Sequence, residues 1–206
     1  MSESMLATYE LRSVAPADPW SRYVMALDDV RSRLERICSS LQDAGVPFAL
    51  VGGQAVALWV ATVDPAAVRT TNNVDILLDR SDLPRARQAA HGAGFDYFEA
   101  IGVGMFLEQS DPNPRRGVHL LWSGERVRPE NGWPAPLVAE SEEIASRPVV
   151  KLAALVRTKL MANRDQDRVH LRDMIDVGLV TQEMLPELPA ELSERLSTLL
   201  REQGRL

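Results

Sequence analysis

Residues 50–57 read LVGGQAVA and place two glycines between an apolar run and an alanine-rich segment. The run 48–51 is short, apolar and bounded by turn residues, which predicts a buried strand. The segment 54–61 is alanine-rich and apolar, and it predicts a helix that starts at the glycines. Gly52 and Gly53 have no Cβ, so the backbone there can approach a phosphate chain at the helix N-terminus. An isolated Gly-Gly pair is more often only a tight turn, so this signal is weak by itself.

A second pattern, RTTNNVDILL, occupies residues 69–78. Its apolar part, residues 74–78, predicts a second strand. Asn73 and Asp75 are two residues apart, so their side chains are expected on the same face of the sheet. Phosphoryl transfer that depends on magnesium needs oxygen ligands on one rigid surface beside the phosphates. Asp75 and Asn73 are therefore the candidate metal ligands and catalytic residues.

A histidine lies in residues 118–122, VHLLW, which predict a further strand. His119 alternates with apolar neighbours and is the third candidate for the catalytic surface. A partly buried histidine with a hydrogen-bonded ring is an equally good interpretation. The residue pattern leaves both interpretations open.

Together, the LVGGQAVA and RTTNNVDILL patterns resemble the minimal nucleotidyltransferase family, and within it they are most similar to the AbiEii-like toxin nucleotidyltransferases. Two later segments, KLMANRD at 159–165 and LRDMID at 171–176, are similar to C-terminal motifs of those toxins. The resemblance implies an α+β (mixed α/β) fold, with a small mixed sheet flanked by helices and a helical C-terminal part. The order of strand and helix patterns along the chain indicates the same architecture.

The resemblance also implies a reaction, in which an acceptor attacks the α-phosphate of a nucleoside triphosphate and pyrophosphate leaves. Mg²⁺, or Mn²⁺ in its place, would be the cofactor, and the acceptor would be an RNA such as tRNA or a protein. An antitoxin is the partner expected for a toxin of this kind. The residues that would contact the nucleotide are Gly52, Gly53, Thr71, Lys159, Arg164 and Asp173.

The departures from the family pattern fall on the catalytic positions. Asn73 stands where the first acid is expected, and His119 stands where the third is expected. Asp75 is then the only carboxylate that matches, and magnesium prefers several charged oxygen ligands. Two functions follow as alternatives: a metal-dependent nucleotidyltransferase, or a catalytically degenerate relative that binds a nucleotide or a partner protein without transfer.

The remaining patterns predict a loosely ordered arm, a nucleotidyltransferase-like core and a helical subdomain, at residues 1–20, 21–145 and 146–206. Helical periodicity begins at about Ser21, and Ser81 is the N-cap candidate of a later helix. In the C-terminal part, one helix is expected to begin at Val149 and a second to span residues 167–177.

The second C-terminal helix carries arginines at four-residue spacing together with several acids. This spacing predicts ion pairs along one solvated face, with Asp173 paired to the arginines of its own helix. His170 is expected on the same polar face.

Composition narrows the functional classes. The formal net charge is -6, which argues against a protein that coats long nucleic acid through its phosphates. The single cysteine, Cys38, excludes an internal disulfide. The sequence has neither an apolar run as long as a membrane helix nor a signal-peptide pattern, so a cytoplasmic protein without a membrane partner is expected.

Overall fold

The computed structural model describes residues 18–127 and 132–206 of the chain. Most of the predicted N-terminal arm, residues 1–17, lies outside the described residues. The first helix begins at Pro19, two residues before the predicted start. Asp18 caps it, because its carboxylate accepts hydrogen bonds from the backbone N–H groups of Trp20 and Ser21.

The described elements form a mixed α/β structure, as the sequence predicted. The helices are α1 Pro19–Asp43, α2 Gly52–Ala61, α3 Leu83–Gly92, α4 Leu152–Ala162, α5 Asp165–Asp176 and α6 Ala190–Glu202. The strands are β1 Phe48–Val51, β2 Val74–Leu78, β3 Phe95–Ala100, β4 Val103–Glu108, β5 Val118–Trp122, β6 Ser141–Ile144 and β7 Arg147–Val150. Short 3-10 turns lie at Pro65–Ala67, Arg80–Asp82, Pro114–Arg116 and Gln182–Glu187.

All seven of these strands form one sheet in the order β3-β4-β5-β2-β1-β7-β6. The pairs β1·β7 and β2·β5 are parallel, and the other neighbouring pairs are antiparallel. The central strands β1, β2 and β5 are rich in buried Val, Leu and Ile, as expected for strands covered on both faces. Their pairing sets Val51 beside Asp75 and Asp75 beside His119.

The start of the first C-terminal helix was predicted wrongly. Val149 lies in β7 and pairs in parallel with Leu50 of β1, and α4 begins only at Leu152. A short apolar run fits a strand or the first turn of a helix equally well, and the choice is made by the distant strand it pairs with. β6 was not predicted, because its sequence SEEI has no apolar alternation that marks a strand.

The predicted cap of α3 was also wrong. Ser81 lies inside the 3-10 turn Arg80–Asp82, and α3 begins after it at Leu83. Pro84 stands in the first turn of α3, where a missing N–H costs no hydrogen bond. The proline therefore moves the helix start beyond the serine.

The last three helices pack on one another and on α2. α4 and α5 pack together, α5 also contacts α2, and α6 packs on α4 and α5. The predicted amphipathic stripe of α6 is buried in these contacts, through Leu192, Leu196, Leu199 and Leu200. Within residues 18–127 and 132–206, every helix is too short or too polar to cross a membrane.

Candidate nucleotide-binding site

The candidate site is centred on two neighbouring side chains of β2 and β5. Asp75 and His119 are direct partners in the parallel register. The imidazole Nδ1 lies 3.7 Å from a carboxylate oxygen of Asp75, and both side chains keep just under a third of their surface exposed. On its other side, Nε2 of His119 lies 3.2 Å from the carbonyl oxygen of Pro114. The structure therefore brings these two predicted residues together at an accessible position.

This neighbourhood favours the protonated form of the imidazole. Asp75 raises the pKa of His119, and the Pro114 carbonyl adds to the effect, while burial opposes it. With Nε2–H donating to Pro114, Nδ1 needs a proton to interact favourably with the carboxylate. The site therefore pairs a carboxylate with an imidazole of raised pKa, where the family pattern would place a further carboxylate.

The two glycines are required by the side chains packed against them. Gly52 has φ +66°, and a Cβ there would lie 2.0 Å from Oδ2 of Asp75. A Cβ on Gly53 would lie 2.6 Å from Oγ1 of Thr71. The Gly-Gly turn therefore lets Asp75 and Thr71 approach the backbone at the start of α2.

The first turn of α2 also has donors for an anion. Val51 is the N-cap residue and offers no side-chain hydrogen bond to the helix. Backbone N–H groups at such a helix start carry partial positive charge and bind phosphates. Gln54 ties this turn to the next strand, since its Nε2 donates to the carbonyl oxygen of Asn73 at 3.3 Å. Asn73 itself is exposed just before β2.

The described residues do not fit a magnesium site built from protein ligands alone. They hold no group of three or more His, Cys, Asp or Glu side chains that could bind a metal ion. Asp75 supplies one carboxylate, and Asn73 offers only a neutral amide. Glu125, a possible substitute acid, is held by two 2.7 Å hydrogen bonds from Arg80. A magnesium ion prefers six oxygen ligands with several charges among them.

Lys159 lies in a buried ion pair between α4 and α5. Its ammonium Nζ is 2.9 Å from Oδ1 of Asp167, and both side chains are more than nine-tenths buried. Burial alone would raise the pKa of Asp167, but bonds from Arg164 and Lys159 hold it below its usual range. The role of Lys159 as a direct nucleotide contact stays a prediction.

Arg164 connects this ion pair to the candidate site. Its Nε donates to Asp167 at 2.7 Å, while about two thirds of the side chain remains exposed. The bond to Asp167 raises the pKa of Arg164 most, and the negative charge of Asp75 contributes as well. The guanidinium is therefore anchored on one side and lies within electrostatic reach of Asp75.

Two predictions about α5 were wrong. Asp173 binds Arg69 through two 2.9 Å hydrogen bonds, and Arg172 instead reaches Glu202 of α6. Asp173 therefore fastens the segment before β2 to α5. His170 is buried and not on a solvated face, and burial is the main cause that lowers its pKa to about 4. Arg69 and Glu202 lie far along the chain from Asp173 and Arg172, so spacing within α5 did not reveal these two pairs.

Comparison with known proteins supports the fold. No protein-family model and no curated protein matches the sequence. Among solved structures, the antibiotic-resistance factor ANT(2'')-Ia matches at a TM-score of 0.50 and 13% identity, covering 88% of this chain and 94% of that one. An antigenic nucleotidyltransferase-like protein from Paracoccidioides brasiliensis matches at 0.51 and 15% identity, covering 86% and 89%. The chain therefore has the nucleotidyltransferase fold.

Proposed function

We propose that this nucleotidyltransferase-fold protein binds a nucleoside triphosphate at the Gly52–Gly53 turn. The observation that carries the proposal is the in-register pair of Asp75 and His119 directly beside that turn. The start of α2 offers backbone donors to the phosphates, and Arg164 adds an exposed guanidinium in the field of Asp75.

Cationic side chains supply part of the charge that metal ions supply in a two-metal site. His119 has a raised pKa beside Asp75, and Arg164 is held in place by Asp167. The Arg164 guanidinium and the protonated form of His119 can both donate to a triphosphate, and charge-assisted hydrogen bonds to phosphate are among the stronger polar contacts in proteins. Binding that survives removal of magnesium is the expected property of this arrangement.

The second candidate function is nucleotidyl transfer. The position of the Asp75 carboxylate over Gly52 favours it, because that carboxylate would lie beside the phosphates. An acceptor hydroxyl on an RNA or a protein would then attack the α-phosphate, and pyrophosphate would leave. The sequence also resembles the AbiEii-like toxins. On that resemblance, the transferase would be a cytoplasmic toxin, with Mg²⁺ or Mn²⁺ as cofactor and an antitoxin as partner.

Titration calorimetry tests nucleotide binding. The full chain is titrated with ATP, GTP, CTP and UTP, in magnesium and in EDTA. We expect Arg164→Ala to weaken binding by roughly tenfold, the loss of one charge-assisted hydrogen bond. Arg168→Ala is the matched control, because Arg168 lies on the same helix and pairs with the exposed Asp165. Equal losses in the two variants, or no binding of any nucleotide, would overturn the proposal.

Label transfer separates the two candidate functions. The protein is incubated with each α-labelled nucleoside triphosphate, with magnesium or manganese, and with bulk tRNA. Label that appears on tRNA or protein and vanishes in Asp75→Asn establishes transfer. Nucleotide binding without transfer in either metal establishes the binding function alone.

A further inference from the structure

An arginine-lined cavity lies beside the N-terminal half of α1. Its volume is about 470 Å³, within the range of small-molecule sites. It is lined by four arginines, Arg22, Arg33, Arg115 and Arg116. Asp29 and Asn72 also line it. The chain as a whole is acidic, with a formal net charge of -6, so this concentration of cations is local. Gly52, Asp75 and His119 do not line the cavity, so it is distinct from the candidate nucleotide site.

Arg33, one of the residues that line this cavity, has an unused donor. The residue is only 1% exposed, and its Nε and Nη2 both donate to Oε2 of Glu108 at 3.3 Å. Its Nη1 is buried and has no hydrogen-bond partner in the described part of the chain. Leaving such a donor unpaired costs free energy, and the cost is larger for a charged group. A ligand acceptor in the cavity would satisfy it.

Arg115 provides a second available cation. Its side chain is exposed and makes no ion pair or hydrogen bond with residues 18–127 or 132–206. Its neighbour Arg116 is already matched, since it pairs with Asp29 and with Asp111 at 2.7 Å each. Asp29, the acid that lines the cavity, is therefore paired with Arg116. The Nη1 group of Arg33 and the side chain of Arg115 remain to bind an anion.

The rest of the wall is aliphatic. Met25, Ala26 and Val30 of α1 line the cavity alongside the arginines. A cavity that joins the exposed Arg115 guanidinium and the unpaired Nη1 of Arg33 to an apolar wall fits a ligand with one anionic end and one organic part. Guanidinium groups match the tetrahedral oxygens of phosphate with paired hydrogen bonds.

We propose that this cavity binds the phosphate group of a small phosphorylated organic molecule. The phosphate accepts hydrogen bonds from Arg33 Nη1 and from Arg115, and the organic part lies against Met25 and Val30. The loop that carries Arg115 also carries Pro114, whose carbonyl oxygen meets His119 of the nucleotide site. The two sites therefore share one loop.

Calorimetry on the full chain tests this proposal with three probes: inorganic phosphate, ribose 5-phosphate and unphosphorylated ribose. We expect both phosphate probes to bind and ribose not to bind. Tighter binding of ribose 5-phosphate identifies an organic phosphate as the ligand, and equal binding identifies free phosphate. Failure of both phosphate probes to bind would overturn the proposal.

Variants place the bound phosphate. Arg115→Ala should raise the dissociation constant roughly tenfold, the loss of one charge-assisted hydrogen bond. Arg201→Ala removes the same charge from the exposed face of α6 and should leave it unchanged. Arg33→Gln should also weaken binding, with circular dichroism to check its fold. Weakening by Arg201→Ala equal to that by Arg115→Ala would show nonspecific attraction. Loss with Arg164→Ala but not with Arg115→Ala would place the phosphate in the nucleotide site and overturn the proposal.

Discussion

The carboxylate of Asp75 occupies the space that a side chain on Gly52 would need. A Cβ on Gly52 would lie 2.0 Å from Oδ2 and 2.8 Å from Cγ of Asp75, well inside any contact distance. The glycine also has φ +66°, a conformation that residues with side chains rarely adopt. The identity of residue 52 is therefore set by two separate physical requirements.

Gly52→Ala should destabilise the protein by about 3 kcal/mol in urea unfolding. Part of the loss is the left-handed backbone, and part is the collision with Asp75. Gly178→Ala is the matched control, because Gly178 has φ +79° but has no heavy atom within 4 Å of the added Cβ. Its loss should be only about 1–2 kcal/mol. In an Asp75→Ala background, most of the extra loss of Gly52→Ala should disappear, because only the Cβ of residue 75, at 3.0 Å, stays close to the added Cβ. Equal losses for Gly52→Ala and Gly178→Ala in the natural background would contradict the packing argument.

Removing Asp167 should be strongly destabilising. Asp167 is 1% exposed and receives hydrogen bonds from Lys159 and Arg164. Asp167→Ala leaves the ammonium of Lys159 buried without its partner, which costs about 3–5 kcal/mol. The double variant Lys159→Met with Asp167→Leu removes both charges and should recover part of that loss in chemical denaturation. A double variant that is less stable than Asp167→Ala would show that the pair itself contributes net stability.

His170 should make the protein acid-sensitive. Its pKa is lowered to about 4, mainly by burial and also by the nearby charge of Lys159, while Asp167 and Asp173 oppose the shift. The unfolded chain therefore takes up this proton near the ordinary histidine pKa, about 6.5, before the folded chain does. Proton uptake then favours unfolding as the pH falls from about 6.5 to 4.

Urea unfolding at several pH values measures that effect. We expect the free energy of unfolding to fall over this interval by up to about 3 kcal/mol from His170. His170→Gln should flatten that part of the profile. His91→Gln, at an exposed histidine, should leave it in place. An unchanged slope in His170→Gln would assign the acid sensitivity to other groups.

The ion pair between Arg69 and Asp173 should contribute little to global stability. It is bidentate at 2.9 Å, but more than half of the Arg69 side chain is exposed. Such pairs contribute about 0–1 kcal/mol, so Arg69→Ala should shift the unfolding midpoint only slightly. The segment before β2 should nevertheless lose local order, measured as lower backbone NMR order parameters at Thr71 and Asn72. The charge swap Arg69→Asp with Asp173→Arg should restore the order parameters, and unchanged order parameters in Arg69→Ala would contradict this role.

The sequence was informative wherever a feature depends on neighbours along the chain. Strand β1, the Gly52–Gly53 turn and α2 were all predicted, because apolar runs and turn residues act locally. Asp75 and His119 were both placed on strands that the structure confirms. Their pairing could not be derived, since the parallel register of β2 and β5 depends on residues more than forty positions apart.

Side-chain partnerships were the hardest to predict. Lys159 bonds to Asp167 across two helices, and Asp173 bonds to Arg69 in another element. Spacing rules apply to one helix at a time, so they found the pair of Arg168 with Asp165 but not the partners of Asp173 and Arg172 in other parts of the chain. The unpaired donor of Arg33 also has no signature in the sequence, because burial of a charged group depends on the assembled fold.

The position of β7 has a consequence for how the chain is made. β1 lies between β2 and β7 and gains its second neighbour only when Arg147–Val150 is available. During synthesis, β1 and β2 leave the ribosome long before β7 does. Until β7 is available, one backbone edge of β1 is unpaired, and its apolar residues, which are all buried in the folded protein, are exposed. The nascent chain therefore passes through a stage in which its most hydrophobic strand can pair with another chain, and it leaves that stage only when the segment that precedes α4 has been synthesised.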